Sequence, residues 1–194
     1  LGNLKKTIDS KNNETSITYD SLGRKTEMHD PDMGVWSYEY DKLGNLKKQT
    51  DAKGQVIDFD YDTLNRLRIK SLRATASGEA ISTVQYTYDE PGKPNCVGRL
   101  SKVTDPSGTT EFFYDNLGRE IKSIKAVDSA FYTVERTYDS MDRLKTVKYP
   151  DGEVLTYTYN KAGGVETVSS PNKTYVSNVD YNVNGQMTRI DYGN

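Results

Sequence analysis

Apolar and polar residues alternate with a period of two in short runs along the chain, and most runs close on a tyrosine. Trp36, Tyr38 and Tyr40 fall on one side of such a run, with Ser37 and Glu39 between them. The same spacing gives Ile57, Phe59 and Tyr61, then Val84, Tyr86 and Tyr88, Phe112 and Tyr114, Leu155, Tyr157 and Tyr159, and Val179 and Tyr181. Polar residues, among them Asp58, Asp60, Gln85, Thr87, Thr156 and Thr158, mostly hold the intervening positions. Aromatic and β-branched residues in this alternation predict strands with one apolar face. No stretch carries a helical period.

Each tyrosine opens a short phrase that recurs every twenty-odd residues. It reads Tyr19-Asp20-Ser21-Leu22-Gly23-Arg24, Tyr40-Asp41-Lys42-Leu43-Gly44-Asn45 and Tyr61-Asp62-Thr63-Leu64-Asn65-Arg66. Later copies are Tyr114-Asp115-Asn116-Leu117-Gly118-Arg119 and Tyr138-Asp139-Ser140-Met141-Asp142-Arg143, with looser ones at Tyr88, Tyr159-Asn160 and Tyr181-Asn182. The phrase predicts a type I turn with a bulge: aspartate accepts backbone N–H groups, and the residue three further on takes positive φ. Where glycine is lost, the slot holds Asn65 or Asp142, residue types that tolerate the left-handed region.

A return strand follows, usually with an apolar residue two past the glycine slot: Leu46, Leu67, Leu100, Leu144, Val165 or Met187. Lys25 and Glu120 depart from that rule, and their strands are expected to face water more. A second class of turn, rich in Pro, Asp and Gly, closes each unit at Asp30–Gly34, Asp51–Gly54, Asp105–Gly108 and Pro150–Gly152. Longer spacings at 72–82, 90–97 and 126–131 read as loop insertions at hairpin ends. Together these features predict an all-β chain, a single continuous antiparallel hairpin array over residues 1–194 with about eight repeats of roughly 21–27 residues. Residues 1–6 repeat Leu43–Lys48 letter for letter, so the chain is expected to be a slice of a longer array. Unpaired strands at its two ends predict self-association of the fragment.

Composition narrows the function. The 26 basic and 28 acidic residues of this 194-residue chain leave a net charge of −2 with no block of one sign, which argues against nucleic acid as a partner. No apolar run approaches the roughly 18 residues of a membrane span, so no membrane insertion by this segment is expected. Leu, Ile, Val and Phe make up only 38 of 194 residues while tyrosine supplies 15, which suits a thin sheet with much wet surface. Tyrosine fits such a sheet because its ring packs while its hydroxyl stays hydrated. A lone Cys96 and a lone His29 exclude disulfides and thiolate or histidine metal clusters, and both read as incidental loop or turn residues.

Segment 180–191 nearly spells a calcium loop, but its flanks read as strands and it coincides with a repeat turn. Asp58, Asp60 and Asp62 share one strand face and read as a solvated polar row rather than cation ligands. Asn13-Glu14-Thr15 and Asn172-Lys173-Thr174 are glycosylation sequons of consequence only in a eukaryotic secreted protein. No carboxylate pair, phosphate loop or activated nucleophile stands out. The expectation is therefore no catalytic residue, no cofactor and no metal.

With its Tyr-Asp-x-x-Gly-Arg phrases, and the stretches at 30–41 and 190–194, the chain resembles the RHS/YD-repeat family, which includes bacterial Rhs polymorphic toxins, Tc toxin B and C components and teneurins. That resemblance implies a continuous curved, spiralling sheet of hairpins forming one wall of a hollow shell. The expected partners are an encapsulated toxin polypeptide and the neighbouring shell repeats, and the expected location is outside a bacterial cell. A surface adhesin or carbohydrate-binding module, with tyrosines stacking on sugar rings, is the alternative. The residues expected to carry the architecture are the tyrosines and the turn residues, with Gly23, Gly44 and Gly118 the most sensitive to substitution.

Overall fold

A computed structural model describes residues 2–193. It contains 17 strands and, among the described residues, no helix. The chain forms two compact units. One comprises residues 1–87 with 103–106, and the other 88–102 with 107–194.

In the first unit, β1 (Lys6–Ile8), β2 (Glu14–Tyr19), β3 (Lys25–Asp30) and β4 (Gly34–Tyr40) are followed by β5 (Leu46–Thr50), β6 (Val56–Tyr61), β7 (Leu67–Arg73) and β8 (Ala80–Tyr88). Each pairs antiparallel with the next. After β9 (Leu100–Asp105), the second unit runs β10 (Gly108–Tyr114), β11 (Glu120–Val127), β12 (Ala130–Tyr138) and β13 (Leu144–Lys148). It ends with β14 (Val154–Tyr159), β15 (Val165–Ser170), β16 (Lys173–Tyr181) and β17 (Met187–Tyr192). Its strands from β10 to β17 also pair antiparallel in sequence order. The predicted all-β hairpin array is what the chain forms.

Little of either unit is deeply buried. Val56, Cys96, Ser101, Val147 and Val179 are the described residues that fall below a tenth exposed. Accessible surface totals 12976 Å², where a compact protein of 21.9 kDa leaves roughly 9,300 Å². A sheet one layer thick produces this, because each side chain has cover from its strand neighbours but none from an opposing layer.

Three local readings of the sequence need correction. Segment 126–131 is not a loop insertion: β11 and β12 stay paired to Val127 and Ala130, and Asp128 and Ser129 alone make the turn, Asp128 at φ 51°. The extra residues lengthen the hairpin. Lys25 and Glu120 do not turn their strands to water, since both are half-buried. Lys25 Nζ sits 4.2 Å from the centre of the Tyr38 ring, and Glu120 pairs with Arg136 at 2.5 Å. Cys96 is no incidental loop thiol either. It is 1% exposed, with its Sγ 3.2 Å from the carbonyl oxygen of Glu90, and it plugs the underside of loop 90–97.

The alternation is also less one-sided than the sequence suggests. Val56 is fully buried although it shares a strand face with Asp58 and Asp60. Those two carboxylates are not merely solvated: Asp58 pairs with Arg73 at 2.5 Å and Asp60 with Arg68 at 2.5 Å. Asp62 points into its own turn, where Arg66 meets it at 2.7 Å.

Candidate functional site: the tyrosine–aspartate clasp

The recurring phrase builds a recurring constellation. In its first half, aspartate organises the turn. Asp20 Oδ1 accepts the N–H groups of Leu22 and Arg24, both at 2.9 Å, while the Gly23 N–H donates to the Asp20 carbonyl at 3.0 Å. The Asp20 N–H donates to the Arg24 carbonyl at 2.9 Å and closes the bulge. The same bonds recur at Asp41, Asp62, Asp115 and Asp139. Asn160 and Asn182 reproduce them with an amide oxygen. The positive-φ slot is as predicted, with Asn65 at 66°, Asp142 at 62° and Gly118 at 82°.

Arginine completes the turn. Its Nε reaches the second carboxylate oxygen at 2.6 Å in the Asp20–Arg24 pair and at 2.7 Å in the Asp62, Asp115 and Asp139 turns. These pairs are mostly shielded, about a fifth to a quarter exposed, so a planar guanidinium can hold the carboxylate in a fixed fork. At Asp41 the position is Asn45, whose amide takes over the contact at 2.9 Å.

These contacts hold the pKa values of the turn carboxyls below their ordinary value. Backbone N–H donation by Arg24 and Arg66 leads for Asp20 and Asp62. Side-chain donation leads for Asp41, from Asn45, and for Asp139, from Arg143. At Asp115 burial is the largest influence and pushes upward, but the bonds from Arg119 outweigh it.

In its second half the phrase grips the repeat before it. In seven phrases the tyrosine hydroxyl donates to the backbone carbonyl of the residue that follows the preceding arginine slot. The bonds are Tyr19 to Leu4 at 2.8 Å, Tyr40 to Lys25 at 2.8 Å and Tyr61 to Leu46 at 2.9 Å. They continue with Tyr114 to Leu100 at 2.7 Å, Tyr138 to Glu120 at 2.7 Å, Tyr159 to Leu144 at 2.6 Å and Tyr181 to Val165 at 2.9 Å. The expectation of hydrated phrase hydroxyls is thereby corrected. A half-buried donor gains more from a fixed carbonyl than from intermittent water, and burial raises the pKa values of Tyr61, Tyr114, Tyr138 and Tyr159.

The arginine of one phrase also lies over the tyrosine ring of the next. Arg24 is 4.7 Å from the centre of Tyr40, Arg119 is 4.8 Å from Tyr138, and Arg143 is 4.3 Å from Tyr159. Such cation–π contacts contribute about 0.5–1 kcal/mol each at partly wet sites. Arg119 additionally meets Asp142 of the following turn at 2.6 Å. Asn45 plays the corresponding part without a charge by donating to the Asn65 side chain.

The looser phrase at Tyr88, which ends β8, is this clasp with residues 90–97 inserted. Asp89 N–H still donates to the Arg99 carbonyl at 3.2 Å, and the Asp89 side chain takes the Gly98 N–H. Lys93 fills the expanded turn. Its ammonium lies 4.2 Å from the centre of the Phe113 ring and 3.3 Å from Glu111, and it donates to the Ser101 carbonyl at 3.1 Å.

Two further turns share the aspartate half of the clasp: one at Asp9 that sequence reasoning did not place, and the one at Asp51–Gly54, which it read as a turn of the second class. Asp9 accepts the N–H groups of Lys11 and Asn13 with Asn12 at φ 64°, and Asp51 accepts those of Lys53 and Gln55. The signal was present as Asp followed three residues later by Asn or Gly, without the tyrosine. Also unanticipated is the exposure of Leu22, Leu43, Leu64, Leu117 and Met141, apolar residues at the turn tips that are 63–78% exposed. The near-calcium segment is the turn between strands β16 and β17. Among the described residues, no three His, Cys, Asp or Glu side chains are grouped to hold a metal ion.

Comparison with known proteins agrees with this geometry. The family model described as RHS Repeat matches residues 40–80 and 97–129. No curated protein matches the sequence. Among solved structures, the Photorhabdus luminescens Tc holotoxin pore carrying a TccC3 mutation aligns over 99% of this chain and 11% of its own, with a TM-score of 0.77 at 17% identity. The TcdB2–TccC3–Cdc42 crystal structure aligns over 98% of this chain and 11% of its own, with a TM-score of 0.75 at 16% identity. The chain thus spans about a tenth of the length of these structures. Residues 40–80 and 97–129 thus match the RHS repeat, and the fold of the chain is the one seen in these Tc toxin structures.

Proposed function

We propose that this array is a wall segment of an RHS-type shell that encloses a toxic polypeptide in a secreted bacterial toxin. One observation carries the reading. The conspicuous polar residues of each phrase, tyrosine, aspartate and arginine, are engaged in holding a turn or an adjoining repeat. Residues so engaged hold a wall together and are not free to work on a substrate. The similarity of fold to Tc toxin structures supports the same reading.

On this reading the array acts by sequestration. It surrounds a polypeptide, denies it the space to fold or act, and needs no cofactor or catalytic residue of its own. Its partners are the enclosed polypeptide and adjoining shell repeats, and its place of action is outside the producing cell.

Limited proteolysis of the full-length parent polypeptide tests this. The enclosed segment should resist protease in the intact protein and become susceptible when both halves of one clasp are broken by Tyr138→Ala and Asp139→Ala. Equal susceptibility in both proteins would refute the wall reading.

A further inference from the structure

The clasp rings of Tyr40, Tyr114, Tyr138 and Tyr159 each have an arginine near the face, whereas one aromatic cluster in the second unit has a cation only at one end. Phe131 and Tyr132 begin β12, Tyr149 precedes the Pro150-Asp151-Gly152 turn, and Tyr175 lies early in β16. With Asp151 and Glu153 they line an open trough of about 690 Å³ on the edge away from the tyrosine–aspartate turns. Phe131 is 72% exposed, Tyr132 50% and Tyr149 39%.

Two features set this trough apart. Among the described residues, no lysine or arginine covers the rings of Phe131, Tyr132 or Tyr149. Lys173 lies 4.9 Å from the centre of Tyr175 at one end. Neither Asp151 nor Glu153 has an ion-pair partner among the described residues. Glu153 accepts the Tyr175 hydroxyl at 2.5 Å, and Asp151 accepts the Glu153 N–H at 3.0 Å. Nearby cations are committed elsewhere, Lys148 to Glu135 and Arg136 to Glu120.

The trough therefore has the aromatic and acidic halves of the clasp without the guanidinium. Where the array supplies its own, the arginine lies over a ring while its fork engages a carboxylate, as Arg143 does with Tyr159 and Asp139. We propose that the trough is a binding site for an arginine-bearing polypeptide segment, whose guanidinium stacks on the exposed rings and pairs with Glu153 or Asp151. A neutral sugar would satisfy the rings and leave two unpaired carboxylates beside them. The guanidinium answers both.

Calorimetric titration of the 194-residue chain at low ionic strength tests the proposal, with the blocked peptide acetyl-Gly-Arg-Gly-Arg-Gly-amide as probe. The controls are its citrulline counterpart and cellotetraose. The arginine peptide should bind, and Phe131→Ala or Glu153→Gln should each weaken it about two- to fivefold, as loss of one exposed cation–π contact or one charge pair implies. Glu79→Gln, at an exposed position in the first unit, should leave binding unchanged. The citrulline peptide keeps the shape but lacks the charge, and should not bind. Absence of arginine-peptide binding, equal binding of the citrulline peptide, or indifference to both substitutions would overturn the proposal. Saturable cellotetraose binding that Phe131→Ala abolishes, without peptide binding, would overturn it in favour of a sugar site.

Discussion

The Tyr138 hydroxyl donates to the Glu120 carbonyl at 2.7 Å across 18 residues of sequence, whereas Tyr159 reaches Leu144 across 15. The anchor is the same in both, the residue after the arginine. The additional three residues lie in the extended β11–β12 hairpin and are absorbed at its far end, around Asp128. Repeats can thus change length without disturbing the joint between them, because that joint is defined at the clasp and not at the opposite turn.

This joint predicts an asymmetric response to removing single hydroxyls. Tyr138→Phe should cost about 1 kcal/mol, the usual net worth of such a bond. Tyr132→Phe, on an exposed ring, should change stability by less than about 0.5 kcal/mol. Denaturant melts of the two variants check the difference, and equal midpoints would show that the hydroxyl bond carries no stability.

Coupling across the joint should be measurable as well. Arg143 pairs with Asp139 in its own turn and covers Tyr159 of the next. A double-mutant cycle with Arg143→Met and Tyr159→Leu should give an interaction of about 0.5–1 kcal/mol, typical of a partly shielded cation–π pair. Strict additivity would reduce the stack to coincidence.

Glycine positions should rank by what stands in front of them. Gly118 has φ 82°, and the group facing its missing Cβ is the Arg99 guanidinium, which can swing aside. Gly118→Val should still cost more than about 1 kcal/mol from backbone strain. Gly108 has φ 135° and faces the Ala126 carbonyl oxygen, which the β10–β11 ladder holds in place. Gly108→Ala should therefore cost more, roughly 3 kcal/mol from strain plus overpacking. Thermal melts order the two, and the reverse order would contradict this geometry.

Acid and alkali should each attack one half of the clasp. The turn aspartates titrate below their ordinary 3.8 in the folded chain. Their contribution is complete above that value and is lost as pH falls through the lower folded values, so stability should drop below about pH 4. Tyr61, Tyr114, Tyr138 and Tyr159 titrate above their ordinary 10.0. Their contribution is present below 10 and is lost as pH rises through the higher folded values, because a phenolate cannot donate. Ultraviolet titration should show these tyrosines ionising after the exposed ones, alongside unfolding. A single unshifted phenol transition would count against buried donor bonds.

What the sequence made legible was what is local. Asp-x-x-Gly specifies a turn within five residues, so Asn65 and Asp142 could be placed in the left-handed slot from chemistry alone. The tyrosine's purpose was not legible, because its partner carbonyl belongs to another hairpin and no side-chain identity marks it. The role of arginine was hidden likewise, since its two partners lie on opposite sides of a repeat boundary. Cys96 and Lys93 were missed because loop 90–97 folds back under itself, a tertiary event that leaves no period in the residues.

Electron cryomicroscopy of the full-length parent polypeptide tests the central claim most directly. The wall reading predicts that clasped hairpins such as Tyr138–Glu120 continue into neighbouring repeats and surround an interior occupied by polypeptide density. An array open to solvent on both faces, with no enclosed volume, would contradict it.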